Sequence, residues 1–524
     1  MNETPTTDSV LPGLEAGPSS APAAPSTVAL CPRVKPVDRS QLTWQMLDVE
    51  RLIEEDHPAR AVWGLVGKLD LDRFYGPIEA VEGVAGRTPW DPRLLVSLWI
   101  YAYSRGISSA REIARRCAFD PAFMWLCGLG QINHHTLSDF RVAHDQALQE
   151  LFVQVLGVLS GEGLVTLERV MHDGTKIKAC AGADSFRREE RIRAHLEAAR
   201  QQVQAMGEPA ADESARQTAA RQRAATERQQ RLEQALEQLN QIRETKSGTE
   251  AQQSARASIT DPPARIMKQS DGGYAPSYNV QLSTDAAHKV IVGVGVSQSA
   301  SDYAELVGGV ERVEQNMGRK PEQMVSDGGF TCRENIIEMA AKGVDFIGSF
   351  PEHDGQSEGQ MRRRGVTEEF YPQAFVYEAQ QDTYRCPAGQ TLRHTGQEQR
   401  TGVVQHQYRT ESGVCEACPF KAKCCPQNAS KGRSVTRAVE APQVRQFLQK
   451  MQTSEAKKIY RQRGPIAEFP NAWIKEKLGL RQFRLRGLVK VLQEVLWACL
   501  TYNIQQWIRL CWKPGSVSAQ SGAK

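Results

Sequence analysis

The chain has 524 residues, 40% hydrophobic and 24% charged, ordinary proportions for folded domains, and at ~150 residues per domain it has room for about three. A formal net charge of +4 is too small to name a partner by itself. The lack of any apolar run near the ~18 residues of a membrane span argues against an integral membrane protein. The polar N-terminus lacks the basic-then-apolar pattern of a secretory signal. Twelve cysteines in so long a chain, several clustered, point to metal chemistry in a reducing compartment rather than to a disulfide scaffold.

Residues 1–37 are rich in Pro, Ala, Ser and Thr and read as a disordered arm, because they hold too little apolar surface to offset the entropy of folding. Residues 38–163 read as a helical domain. Leu94, Leu95, Leu98, Trp99 and Tyr103 recur at helical spacing in Pro92–Tyr103. Ser108-Ser109 caps a short helix over Ala110–Cys117, and Asp120-Pro121 opens another. The pair is either a helix-turn-helix that enters a DNA groove or plain bundle packing.

From Leu164 the pattern is that of an α/β core extending to residue 350. Strands are expected at Val165–Leu167 and Arg169–Met171, the second ending in Asp173-Gly174-Thr175. Residues 185–250, nearly all Glu, Gln, Arg, Ala and Leu, read as a long helical hairpin broken at Gly207–Pro209. Tyr278–Ser283 and Val290–Val296 alternate as a β-hairpin. A helix over Tyr303–Met317, a strand ending at Ser326-Asp327, a helix over Arg333–Lys342 and a strand over Val344–Phe350 follow. Residues 351–445 are a cysteine-rich insertion. Residues 446–512 are closing helices, running from Gly464 to about Cys511, and 513–524 form a tail.

Asp173 and Asp327 are each expected at a strand end with a glycine behind, a setting that suits a divalent metal which also holds a phosphate. Glu468 lies in a strongly basic segment. Between Glu455 and Lys490 ten basic residues face three acidic ones, a net +7, so the rest of the chain is slightly negative. Such local concentration is the footprint of nucleic-acid backbone binding. Glu468 and Lys475 are two turns apart on one helical face, and Phe483 is interleaved among Arg481, Arg484 and Arg486. Cys386, Cys415-x-x-Cys418 and Cys424-Cys425 have the spacing of a closed four-thiolate zinc site, with Cys424 or Cys425 as the fourth ligand. Thr260-Asp261-Pro262 and Asp302 are further carboxylates, read as a turn and a helix N-cap.

These residues resemble an insertion-sequence transposase of the DDE superfamily. The resemblance runs from about Gln41 to Trp507. It rests on His57-Pro-Ala-Arg60, Thr136-Leu-Ser-Asp-Phe-Arg141, His172-Asp173-Gly-Thr-Lys176, Tyr278-Asn-Val-Gln281, Ser326-Asp327-Gly-Gly-Phe330, Cys386-Pro-Ala-Gly389, Cys415-Glu-Ala-Cys418 and Arg481-Gln-Phe-Arg484-Leu-Arg-Gly487. It implies an α/β fold whose ribonuclease-H-like mixed sheet is flanked by helices, with an N-terminal helical domain for DNA binding and dimerisation, the helical hairpin, and a small zinc-ribbon-like insertion. It implies that Asp173, Asp327 and Glu468 bind Mg2+ or Mn2+, with structural Zn2+ on Cys386, Cys415, Cys418 and Cys424. Tyr460, Arg463, Lys475, Arg481, Arg484 and Arg486 would contact DNA. Four residues separate Arg463 from Glu468, where the family's Tyr–Arg–Glu–Lys signature commonly has three.

The implied activity is metal-dependent cleavage of transposon ends and strand transfer into target DNA. The implied partners are terminal inverted repeats and target DNA, with no membrane and a homodimer on DNA. The implied location is the bacterial cytoplasm, at the nucleoid. A catalytically silent repressor, or a nuclease that cuts without joining, is the alternative on the same residues.

Overall fold

The computed structural model describes residues 46–80, 88–206, 215–350, 358–427 and 430–514. The arm at 1–37, the Gly207–Pro209 break and most of the tail at 513–524 lie outside them. The described residues from Asp48 onward form one unit.

Six strands build the central sheet: β1 (Arg169–Lys178), β2 (Arg265–Lys268), β3 (Tyr274–Asp285), β4 (Ile291–Ser297), β5 (Gln323–Ser326) and β6 (Asp345–Gly348). Their order is β2-β3-β1-β5-β6, with β4 also on β3. β3 runs antiparallel to β1, β2 and β4, while β1, β5 and β6 are parallel. β2 and β4 take opposite ends of β3: Arg265–Lys268 pairs with Tyr274–Ser277, and β4 with Asn279–Thr284. This ribonuclease-H-like mixed sheet flanked by helices is the expected fold class.

Two strand expectations are corrected. Val165–Leu167 is not a strand: Leu167 has φ +57, and the Thr166 and Leu167 amides donate to the Asp285 carboxylate at 3.1 and 2.8 Å. β1 does not end at Asp173-Gly174, because the antiparallel ladder with β3 continues unbroken from Val170 to Lys178. What ends near Asp173 is the parallel ladder on the other side, where the last pair is Met171 with Val325.

The N-terminal helices share one hydrophobic core with the sheet. α1 (Pro92–Ser104), α2 (His134–Ala143) and α3 (Asp145–Gly161) pack around the C-terminal helix. The short helices Ala110–Arg116 and Pro121–Leu126 are capped by Ser109 and Asp120, and bury Ile113, Phe123 and Leu126. α4 (Glu305–Met317) lies against β4, and α5 (Arg463–Glu476) against β1. α6 (Leu488–Leu510) is buried almost throughout, with Trp497 tilted on Trp99 at 6.4 Å. A helix hidden on nearly all faces is mostly apolar all round, as Val491–Tyr502 is apart from the buried Gln493, Glu494 and Thr501.

The helical insertion is Glu189–Ala205 and Ala215–Glu244, which close a small core of Ile192, Leu196, Leu232 and Leu239. The cysteine-rich insertion is larger than a zinc ribbon. It is a five-stranded antiparallel meander of β7 (Val376–Glu378), β8 (Thr383–Arg385), β9 (Thr391–Arg400), β10 (Val403–Arg409) and β11 (Ser434–Glu440). Phe370, Phe375, Leu392, Tyr408 and Val435 give it a core of its own.

Candidate active site

Strand register sets Asp173 and Asp327 on one face of the sheet. Met171, Val325 and Ile347 are paired across β1, β5 and β6 and share one face, where they pack with Ile459 and Ala467. Side chains alternate between faces along a strand, so Asp173 and Asp327, each two residues further on, emerge on that same face and at the same level. The helix covering it is α5, which carries Glu468. Asp327 begins a tight turn, its carboxylate accepting from the Gly329 amide at 2.8 Å. A Cβ on Gly328 would sit 3.1 Å from the Ser349 carbonyl, a close approach that favours glycine there.

Asp173 is the best-defined member. Its Oδ2 accepts from Asn471 Nδ2 at 2.8 Å, and its Oδ1 lies 3.5 Å from Arg463 Nη1. Burial pushes the carboxyl up to about 6; Arg463 opposes the shift, and the negative charges of Asp327 and Glu468 add to it. Lys475 donates to Thr175 Oγ1, next on the same face of β1. Its ammonium is held below the usual value by burial and by Arg481, with Asp173 pulling the other way. Glu468, Asn471 and Lys475 thus form one stripe of α5 at i, i+3 and i+7. Sequence reasoning missed Asn471, although that spacing between two singled-out residues marks it.

Residues of the opposite face build a second polar group. Asp302 accepts from Lys176 Nζ at 3.1 Å, Asn279 Nδ2 at 2.6 Å and Gln281 Nε2 at 2.9 Å. It is therefore not the expected helix cap; α4 starts after Ala304 without a side-chain cap. Asp261 is fully buried and accepts from the Tyr278 hydroxyl and the Gly487 amide.

The closing helices expected from Gly464 to about Cys511 are interrupted at the basic segment. Arg481, Arg484 and Arg486 lie on the connection between α5 and α6, tied down by a bridge from Gln482 to Lys178. Arg481 pairs with Glu476, Arg484 donates to Ser108 Oγ at 2.7 Å, and Arg486 to the Cys180 carbonyl at 3.2 Å. Phe483 is buried against Tyr278 and offers no ring to a base. Tyr460 packs at the edge of the Met171–Val325–Ile347 cluster.

Two models of known families match the chain. A transposase DDE domain covers residues 385–508, and a transposase domain (DUF772) covers residues 47–143. Together these matches indicate an insertion-sequence transposase of the DDE type. Among curated proteins none matches it. The DDE match includes Glu468, Lys475, the basic connection and the cysteine cluster, and leaves Asp173 and Asp327 to the argument from register. The DDE transposase family suggests a nucleic-acid-processing enzyme, implies a DNA substrate and generally uses Mg2+ or Mn2+. Among the described residues no helix is long and apolar enough to cross a membrane.

Five cysteines of the transposase, Cys386, Cys415, Cys418, Cys424 and Cys425, line one small cavity of about 20 Å3. Cys386 Sγ accepts from the Gln390 amide and Cys415 Sγ from the Arg433 amide, both at 3.3 Å. Gly389, with φ +80, makes the first of these turns possible. Burial pushes the Cys424 thiol up to about 12, with Arg433 opposing and Cys425, Cys415 and Cys386 adding to the shift. Among the described residues, however, no three His, Cys, Asp or Glu side chains are arranged around a common point as a metal would require, at the carboxylates or at the cysteines.

Proposed function

We propose that this transposase cuts transposon ends and joins them to target DNA at one site, with Asp173, Asp327 and Glu468 holding Mg2+ or Mn2+. The observation that carries this reading is the placement of Asp173 and Asp327 on one face of the sheet under the helix that bears Glu468, where burial and then the charges of Asp327 and Glu468 oppose ionisation of Asp173. Carboxylates gathered from a strand, a strand end and a helix onto one face repel one another, and a bound cation reverses that repulsion. The donor set is all oxygen, which suits hard divalent ions. Such ions supply the charge that activates a water or a DNA 3′-hydroxyl and stabilises the leaving oxygen.

The protein's own part is placement. Asn471 and Arg463 orient Asp173, and release of the Arg463 contact frees Oδ1 for a ligand. Lys475, fixed against Thr175, puts a cation beside the carboxylates where a phosphodiester backbone would lie. Arg481, Arg484 and Arg486 continue that charge along the connection to α6. In the insertion, Cys386, Cys415 and Cys418 with Cys424 or Cys425 hold a structural Zn2+, supported by the shared cavity and by amide donors that favour thiolates.

The test uses purified protein and DNA carrying the inverted repeats that flank its gene. Asp173→Asn, Asp327→Asn and Glu468→Gln should each abolish cleavage and joining while duplex affinity stays within a few-fold of the parent. Full-rate cleavage by any of the three would overturn the assignment.

A further inference from the structure

An open cleft of about 320 Å3 lies away from the carboxylates, where the N-terminal helices meet the connection between α5 and α6. Three arginines line it, Arg111, Arg141 and Arg484, and among the described residues no Asp or Glu does. Ser108, Ser109, Ala110, Ser138 and the first turn of α2 at His134-His135 complete the lining. That first turn carries the positive end of the helix dipole, although its His135 amide is already taken by the Asn133 side chain.

A helix start alone would mean little; Arg141 supplies the independent sign of a ligand. Its side chain is only 6% exposed, lies over the Trp99 ring at 4.8 Å, and donates from Nη1 to the Ser108 carbonyl at 2.9 Å. Its Nε is buried without a hydrogen-bond partner. Leaving a charged donor unsatisfied is costly, and Arg141 is one of the residues that line the cleft. Arg484 is held alongside by Ser108. Behind it the buried Glu494 accepts from the Arg484 and Leu485 amides, fixing the backbone on which that guanidinium sits. Glu494 sets one negative charge against those of Arg141 and Arg484, which leaves the three-arginine lining net positive.

We propose that this cleft is a phosphate site, and that it takes a backbone phosphodiester of bound DNA. Guanidinium forks suit a phosphate's paired oxygens. The site joins Ser138 and Arg141 of the N-terminal helices to the loop that leaves the catalytic helix, so a duplex held there is tethered to both. The proposal rests on the reading of the chain as a DNA-handling transposase.

The test measures binding of the full chain to a short random-sequence duplex over a range of NaCl concentrations, without divalent metal so that nothing is cut. Phosphate contacts carry little sequence information, so a random duplex suffices. Arg111→Ala, on an exposed side chain whose loss leaves the core intact, and Arg484→Ala should each flatten the slope of log affinity against log salt by about one unit. A parental slope in both variants would overturn the proposal, even if Asp173→Asn had abolished cleavage. Inorganic phosphate, compared with chloride at equal ionic strength, separates the sources. Stabilisation of the parent by phosphate with no slope change in the variants means a site for free phosphate and overturns the DNA assignment. Flattened slopes, with or without that stabilisation, support it.

Discussion

Glu494→Ala isolates one buried carboxylate that holds the basic connection in place. Its oxygens accept from the Arg484 amide at 3.0 and 3.2 Å and from the Leu485 amide at 3.0 Å, and the side chain is fully buried. Bonds to a charged acceptor contribute ~1.5–3 kcal/mol each, so losing two costs roughly 3–6 kcal/mol. Part is recovered, because burial holds the Glu494 carboxyl above its ordinary value while Arg141 and the two amides pull it back. The net expectation is a loss of about 2–4 kcal/mol. At ~2.1 cal/mol/K per residue, a unit of this size loses about 1 °C of Tm per kcal/mol, so a fall of roughly 2–4 °C follows. Urea unfolding followed by tryptophan fluorescence reports it directly, since the buried Trp99 and Trp497 lie in the same core. Hydrogen exchange at the Arg484 and Leu485 amides localises it. Glu494→Gln keeps an acceptor and should lose about half as much. Because the folded-state pKa of Glu494 is raised, the parent's advantage over that variant should shrink as pH rises through the carboxylate range. A loss under about 1 kcal/mol, with the two amides as protected as in the parent, would mean that something else anchors the loop.

Two further expectations follow from the sites. Asp173 has its carboxyl pushed up to about 6 from an ordinary 3.8, and its side chain is 15% exposed. The folded state therefore binds the proton more tightly than the unfolded one, and stability should fall by up to about 3 kcal/mol as pH rises from about 4 to 6; Asp173→Asn should remove that slope in melting curves, and parallel curves would refute the assignment. For the cysteine insertion, metal analysis of the purified chain should find about one zinc per molecule, lost in Cys415→Ser; unchanged zinc in that variant would place the metal elsewhere.

Local pattern made several of the helices legible. The apolar spacing over Pro92–Tyr103, the Ser109 and Asp120 caps and the Glu- and Ala-rich insertion are properties of a few adjacent residues, and the structure has helices at each. The hairpin of β3 and β4 was legible for the same reason, its alternation and its turn lying close in sequence. Strand ends were less so. Gly174 looks like a stop, yet β1 passes through it because β3 offers a full-length antiparallel partner about a hundred residues away. Phe483 looks like an aromatic among arginines and is a core residue, because the fold brings Tyr278 beside it.

The sequence by itself determined which chemistry is available: two Asp-Gly motifs, a glutamate in a basic stretch, a cysteine cluster and a dense run of arginines. Those are choices of side chain, and composition records them. Only the tertiary structure decided who meets whom. Asn471 acts on Asp173 across 298 residues of chain, and Arg484 reaches Ser108 across 376. Such pairings come from the register of β1 on β5 and from the burial of α6 among the N-terminal helices. No local pattern carries them, because the energy that fixes them is the packing of surfaces far apart in the chain.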